Sequence, residues 1–174
     1  MARAAVKPTG RESHFGQEEI IVSKTDLKGR ITYANHVFER VSQFSIPELA
    51  GAPHSLVRHP DMPRCVFKLL WDTIQAPKEI FAYVLNMAKN GDHYWVFAHV
   101  TPSLDKARNV VGYHSNRRKP DAAQVDKIAP LYADLLREEG RHANGKDGMN
   151  AAHERLVGLL RDKGIEYDEF IFSF

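Results

Sequence analysis

Arg58, His59 and Asn86 are side chains of types that could do chemistry. Arg58 is a forked cation able to pair with an anion. His59 titrates near neutral pH and can donate or accept a hydrogen bond. Asn86 lies in an otherwise apolar run, Ile80 to Met87, where a buried amide needs partners from backbone or ligand. Ordinary roles compete with each reading. Arg58 can pair with a nearby carboxylate, and His59-Pro60 can simply hold an extended turn. Asp61 reads as the N-cap of the helix that follows. Trp71 and Trp95 read most simply as packing residues.

Other chemistries find less support. The single cysteine, Cys65, excludes an internal disulfide and falls on the apolar face of a helix, where it packs as a small hydrophobe. Nine histidines form no attachment or metal-ligand motif, and no nucleophile–base pair or phosphate loop is present. The expectation is therefore no metal and no enzyme. Arg117-Arg118-Lys119 reads as a solvated strand end, too short for a nucleic-acid patch. With 24 basic and 22 acidic residues, the net charge of +2 argues against nucleic acid or an anionic membrane as partner. No apolar run approaches a membrane span, and the first ten residues lack a signal-peptide core, so a cytoplasmic, soluble protein is expected. At 174 residues, 43% hydrophobic and 26% charged, the chain suits one core with short extensions.

These residues must be held by elements that the pattern reveals. Residues 1–17 read as a flexible N-terminal arm, although such arms also dock as caps. Ile20 to Ser23 and Arg30 to Ala34 read as two strands around a turn ending in Gly29. Asn35 caps a short helix, Ser45 and Glu48 form a capping box, and a longer helix starts at Asp61. Its apolar face is Met62, Cys65, Val66, Leu69, Leu70 and Ile74. Ile80 to Met87 and His93 to Thr101 read as a hairpin around Asn90-Gly91. A loop, Pro102 to Asn109, precedes the last strand, Val110 to Asn116. The order is α+β: an antiparallel five-stranded sheet with short helices on one face. C-terminal helices follow at Asp121 to Glu139, kinked or split at Pro130, and at Asn150 to Lys163, after a Gly- and charge-rich joint over Gly140 to Gly148.

Alternation divides the hairpin. Ile80, Ala82, Val84 and Asn86 share one face, and Phe81, Tyr83, Leu85 and Met87 the other. Both faces are apolar, so each needs a cover. The short helices supply one. The aromatic tail, the arm or a second subunit must supply the other, and a homodimer with C-terminal elements in the cover is expected.

The order of elements resembles a PAS domain. Gly51 to Pro63, with Arg58-His59-Pro60-Asp61-Met62-Pro63, is similar to the aerotaxis-receptor branch of that family. So are Trp71, the run Asn86 to Val96 with Lys89-Asn90-Gly91-Asp92-His93-Tyr94-Trp95, and Pro130-Leu131-Tyr132. The resemblance implies a sensory domain over 18–118, followed by a C-terminal helical extension over 119–174. It implies FAD held non-covalently between helices and sheet. The implied cofactor-binding residues are Arg58, His59, Asp61, Asn86, Asn35 and Trp71, with Arg58 able to pair with the pyrophosphate and Asn86 facing the ring. The chain departs from that branch at Ile80, where related receptors carry a tryptophan. Haem, or a cofactor-free dimerisation and interaction module, are the alternatives. No kinase, cyclase, DNA-binding or methyl-accepting segment is recognisable. Signalling in trans to a separate chemotaxis or histidine-kinase component is therefore expected.

Overall fold

The computed structural model describes residues 6–174; the part of the expected arm at 1–5 lies outside the described residues. Strands β1 (Ile21–Thr25) and β2 (Ile31–Ala34) form the first hairpin. Its turn is tied by Asp26, whose carboxylate accepts from the backbone of Lys28 and Arg30 at 2.8 and 2.9 Å. Gly29 supplies the positive φ of +75° that the turn requires. Helix α1 (His36–Ser42) is capped by Asn35, and α2 (Ile46–Leu49) opens on the Ser45–Glu48 capping box. A 3₁₀ turn over His54–Val57 leads to helix α3 (Arg64–Gln75). Strands β3 (Ile80–Met87), β4 (His93–Leu104) and β5 (Val110–Arg118) complete an antiparallel sheet of order β2-β1-β5-β4-β3. The helical block between β2 and β3 therefore crosses one face of the sheet from edge to edge.

The long helix starts later than its sequence suggests. Pro63, not Asp61, occupies the N-cap position and makes no side-chain cap bond. The cap comes from elsewhere: the carboxylate of Glu139 accepts from the backbone N–H of Cys65 at 2.9 Å. The buried face of α3 is Cys65, Val66, Leu70 and Ile74, four of the six residues the spacing predicts; Leu69 is half-buried, and Met62 is buried but precedes the helix.

The expected loop after Thr101 is partly strand. Pro102 pairs with Tyr113 of β5, while β3 begins at Ile80 opposite Val100. Pro102 therefore lies beyond the end of its other neighbour, where a missing N–H breaks no ladder bond.

In the C-terminal helices the split allowed at Pro130 and the expected start at Asn150 are not seen. Helix α4 (Ala122–Gly140) runs through Pro130 without a break. Ile128, Tyr132 and Leu135 on either side are buried, and their packing outweighs the roughly 3 kcal/mol that an internal proline costs. Helix α5 (Gly145–Lys163) begins at the Asn144 cap, inside the segment that reads as a joint. Gly148 is there for close approach: a Cβ on it would sit 2.3 Å from the Glu139 carbonyl oxygen. Helix α6 (Tyr167–Phe172) ends the chain.

The outer face of the sheet is covered by the chain's own tail. The Tyr132 hydroxyl donates to the Tyr83 carbonyl at 2.6 Å, and its ring stacks on Trp95. Phe172 meets Phe81 edge-on at 4.7 Å, and Phe174 meets Tyr83 at 6.0 Å. Of the covers considered for this apolar face, the chain's own aromatic tail is the one seen here, with Phe81, Trp95 and Phe97 left half-buried beneath it. Residues 6–17 lie along the β3–β4 turn, with Thr9 donating to the Gly91 carbonyl at 2.9 Å and Ser13 to that of His93 at 2.7 Å. Phe15 is buried. Among the described residues, no helix is long and apolar enough to cross a membrane.

Candidate functional site

Between α3, the 3₁₀ turn and the inner face of the sheet lies a cavity of about 250 Å³. Helix α3 contributes Phe67, Leu70, Trp71 and Ile74 to its wall. Strand β3 contributes Val84 and Asn86, on the parity that alternation assigned to the inner face. Polar groups reach the wall from Arg58 and His54 on the helical side and from Ser23 and Arg117 on the sheet.

Three of the six residues implied as cofactor ligands come together on this wall: Arg58, Trp71 and Asn86. Arg58 and Asn86 are joined by a backbone bridge, which fixes one against the other. The Arg58 guanidinium lies 4.6 Å from the Phe67 ring centre. Its Nη2 is buried with no hydrogen-bond partner. Burial pulls its pKa below the ordinary arginine value; Arg64 adds to this, and Glu139 opposes it. Asn86 is 4% exposed. Trp71 meets Tyr113 edge-on at 5.5 Å and touches the turn at Gly29.

The other three lie off the wall and hold the chain around it. Asn35 accepts from Phe38 and Val22 N–H groups at 3.0 and 3.1 Å and donates to the Ile20 carbonyl at 2.8 Å. Its amide is spent on joining α1 to β1. His59 is buried, and its Nδ1 accepts from the Asp61 N–H at 3.0 Å. Burial lowers its pKa, opposed by Asp61. The Asp61 carboxylate itself is 69% exposed. Ile80 is buried in the core but does not line the cavity. The aromatic walls of the cavity are Phe67, Trp71 and Tyr113.

Sequence reasoning missed Arg117, His54 and Ser23. Arg117 is no solvated strand end: it is 2% exposed, and its Nη2 donates to the Ser23 hydroxyl. Its Nη1 lies 3.3 Å from His54 Nε2, and its guanidinium carbon lies 4.4 Å from the Phe38 ring centre. The signal was available in the parity of β5, where Tyr113, Ser115 and Arg117 share a face. Cys65 is buried off the cavity wall, with its thiol pushed up to about 12 by burial and by Glu139. Among the described residues, no cluster of His, Cys, Asp or Glu could hold a metal ion.

A family model described as "PAS fold" matches residues 31–117. The chain is 37% identical to the aerotaxis receptor of Escherichia coli (strain K12) over 127 residues, which is 73% of this chain and 25% of that one. It is 28% identical to the nitrogen fixation regulatory protein of Klebsiella pneumoniae over 59% of this chain and 21% of that one. The chain thus spans about a quarter or less of the length of these relatives. Among solved structures, the dark structure of the blue-light photoreceptor Aureochrome1 LOV superposes with a TM-score of 0.54. It is 23% identical, over 70% of this chain and 84% of that one, a likeness of fold alone.

Proposed function

The chain belongs to the PAS fold family, on the branch of the aerotaxis receptor, and on that premise we propose that it is a signal-sensing domain. In this reading the cavity holds FAD non-covalently, and the redox state of that group is passed to a separate chemotaxis or kinase component. The observation that carries it is a pair of arginines on the wall of one cavity. Arg58 Nη2 and Arg117 Nε are both buried, and both lack an acceptor. Buried donors without partners are costly, and a ligand rich in oxygen acceptors supplies what they lack.

The wall fits the proposed group in other respects. Its apolar lining suits a flat ring system, with Phe67, Leu70, Trp71 and Val84 as contact surfaces. Arg58 would take the diphosphate, since a guanidinium fork matches phosphate oxygens in pairs. Asn86 would bond an edge of the ring, because its amide carries both donors and an acceptor and can reverse them. The group, when bound, supplies reversible uptake of electrons. The chain's part is to keep water out and to offer Asn86 as a hydrogen-bonding side chain that responds to a change of charge.

From Asn86 the path outward is short. It pairs with Tyr94 across the β3–β4 ladder, and the next pair, Leu85 and Trp95, places Trp95 against Tyr132 of α4. A shift of β3 is therefore felt by the C-terminal helices. A haem reading finds less on the wall: the two histidines there, His54 and His114, have Nε2 engaged with Ser23 and Asn116.

Denaturing the purified protein and quantifying released FAD tests the reading. Arg58→Ala is expected to lose at least about tenfold in retained FAD, since removing one partner of a buried charged contact costs 2–5 kcal/mol. Cys65→Ala is expected to retain it. Full retention by a folded Arg58→Ala variant would remove the phosphate contact from the account.

A further inference from the structure

Resting on the reading of the cavity as a cofactor site, we propose that Ser23, His54 and Arg117 form an anion-binding subsite. The ligand of the cavity places a negatively charged acceptor atom against Arg117.

Arg117 enters from β5, between Ile21 of β1 and Ala98 of β4. Its partners are all neutral. Ser23 accepts from Nη2, and His54 Nε2 faces Nη1. The ring nitrogen of His54 is also 3.1 Å from the Ser23 hydroxyl. A neutral imidazole nitrogen has one lone pair, so these two donors compete for it and one is left short. Arg117 Nε has no acceptor at all, and the hydroxyl of Tyr94, fully buried, has none either. No carboxylate is paired with Arg117 among the described residues.

The charges sharpen the point. Burial and the neighbouring Arg117 push His54 down to about 3, so its imidazole is neutral at pH 7. Arg117 is lowered to about 10 by burial and remains a cation there. A buried cation without a counter-charge is strongly unfavourable in a folded protein. Here it borders a cavity, so an incoming anion supplies the missing charge. Two sources share that chemistry: a phosphate, or the N1–carbonyl edge of a flavin ring, which is neutral when oxidised and carries negative charge when reduced.

Arg117→Met in the full chain, stripped of any cofactor, tests the assignment. If Arg117 serves a ligand, removing its lone charge raises the melting temperature of the stripped protein and weakens FAD binding at least about tenfold. Arg117→Lys, which keeps the charge, is expected to bind FAD more tightly than the methionine variant. Riboflavin separates the sources: equal weakening of riboflavin assigns the ring edge, and unchanged riboflavin binding assigns a phosphate. A methionine variant that melts below wild type makes Arg117 a structural clamp and overturns the proposal. So does one that binds FAD as tightly as wild type. If wild type binds neither flavin, the cofactor reading fails, and inorganic phosphate becomes the probe. A rise in melting temperature with phosphate in wild type but not in Arg117→Met then upholds the subsite, and equal responses overturn it.

Discussion

Glu139, next to last in α4, accepts a hydrogen bond from the backbone N–H of Cys65 in the first turn of α3, at 2.9 Å. The C-terminal extension thereby supplies the cap that Pro63 cannot. The same carboxylate is felt electrostatically by Arg58 on the cavity wall. One side chain thus ties the helix that forms the cavity to the helix that lies outside the sheet.

Glu139→Ala is expected to destabilise the protein by about 0.5–2 kcal/mol, the range for losing a helix N-cap. Asp61→Ala is expected to change stability by less than about 0.5 kcal/mol, as for an exposed residue away from special features. Urea unfolding of the two variants measures the difference, and a larger loss for Asp61→Ala would contradict the assigned cap.

The tail covers Phe81, Tyr83 and Phe97 through Phe172 and Phe174. Removing residues 165–174 leaves that aromatic face without its cover, a patch that soluble monomers rarely tolerate. Light scattering is expected to show self-association of the shortened chain at concentrations where the full chain shows none. A shortened chain that stays monomeric would make the cover dispensable.

His54 makes stability depend on pH in a stated direction. Its ordinary value is 6.5 and its folded value about 3, so between these pH values the unfolded chain binds more protons. Its contribution is fully present above about 6.5 and is lost as pH falls toward 3. His54→Gln removes the titrating group. Urea midpoints at pH 7 and pH 5 are expected to fall more for wild type than for the variant; parallel falls would contradict a neutral buried His54.

Much of this was legible in the residues. The sheet, the Asn35 cap and the inward parity of Asn86 follow from β-branched runs, side-chain chemistry and alternation. Asp61 misled because a good capping residue stood two positions before a proline that itself fixes the helix entry. The glycines at 145 and 148 read as a joint, whereas Gly148 permits contact between α4 and α5. Arg117 escaped because a run of three basic residues suggests solvent. Only pairing with β1 and β4 shows that one of them lies in the middle of the sheet. The Glu139–Cys65 contact spans 74 residues, a separation over which no local pattern speaks.

The central claim is that the cavity bounded by Arg58, Trp71, Asn86 and Arg117 holds FAD. The visible absorption spectrum of the purified full chain, before and after dithionite, tests it most directly. The account predicts flavin bands in the blue that bleach on reduction, with FAD released on denaturation. A Soret band, or no visible absorption even after incubation with FAD, would contradict it.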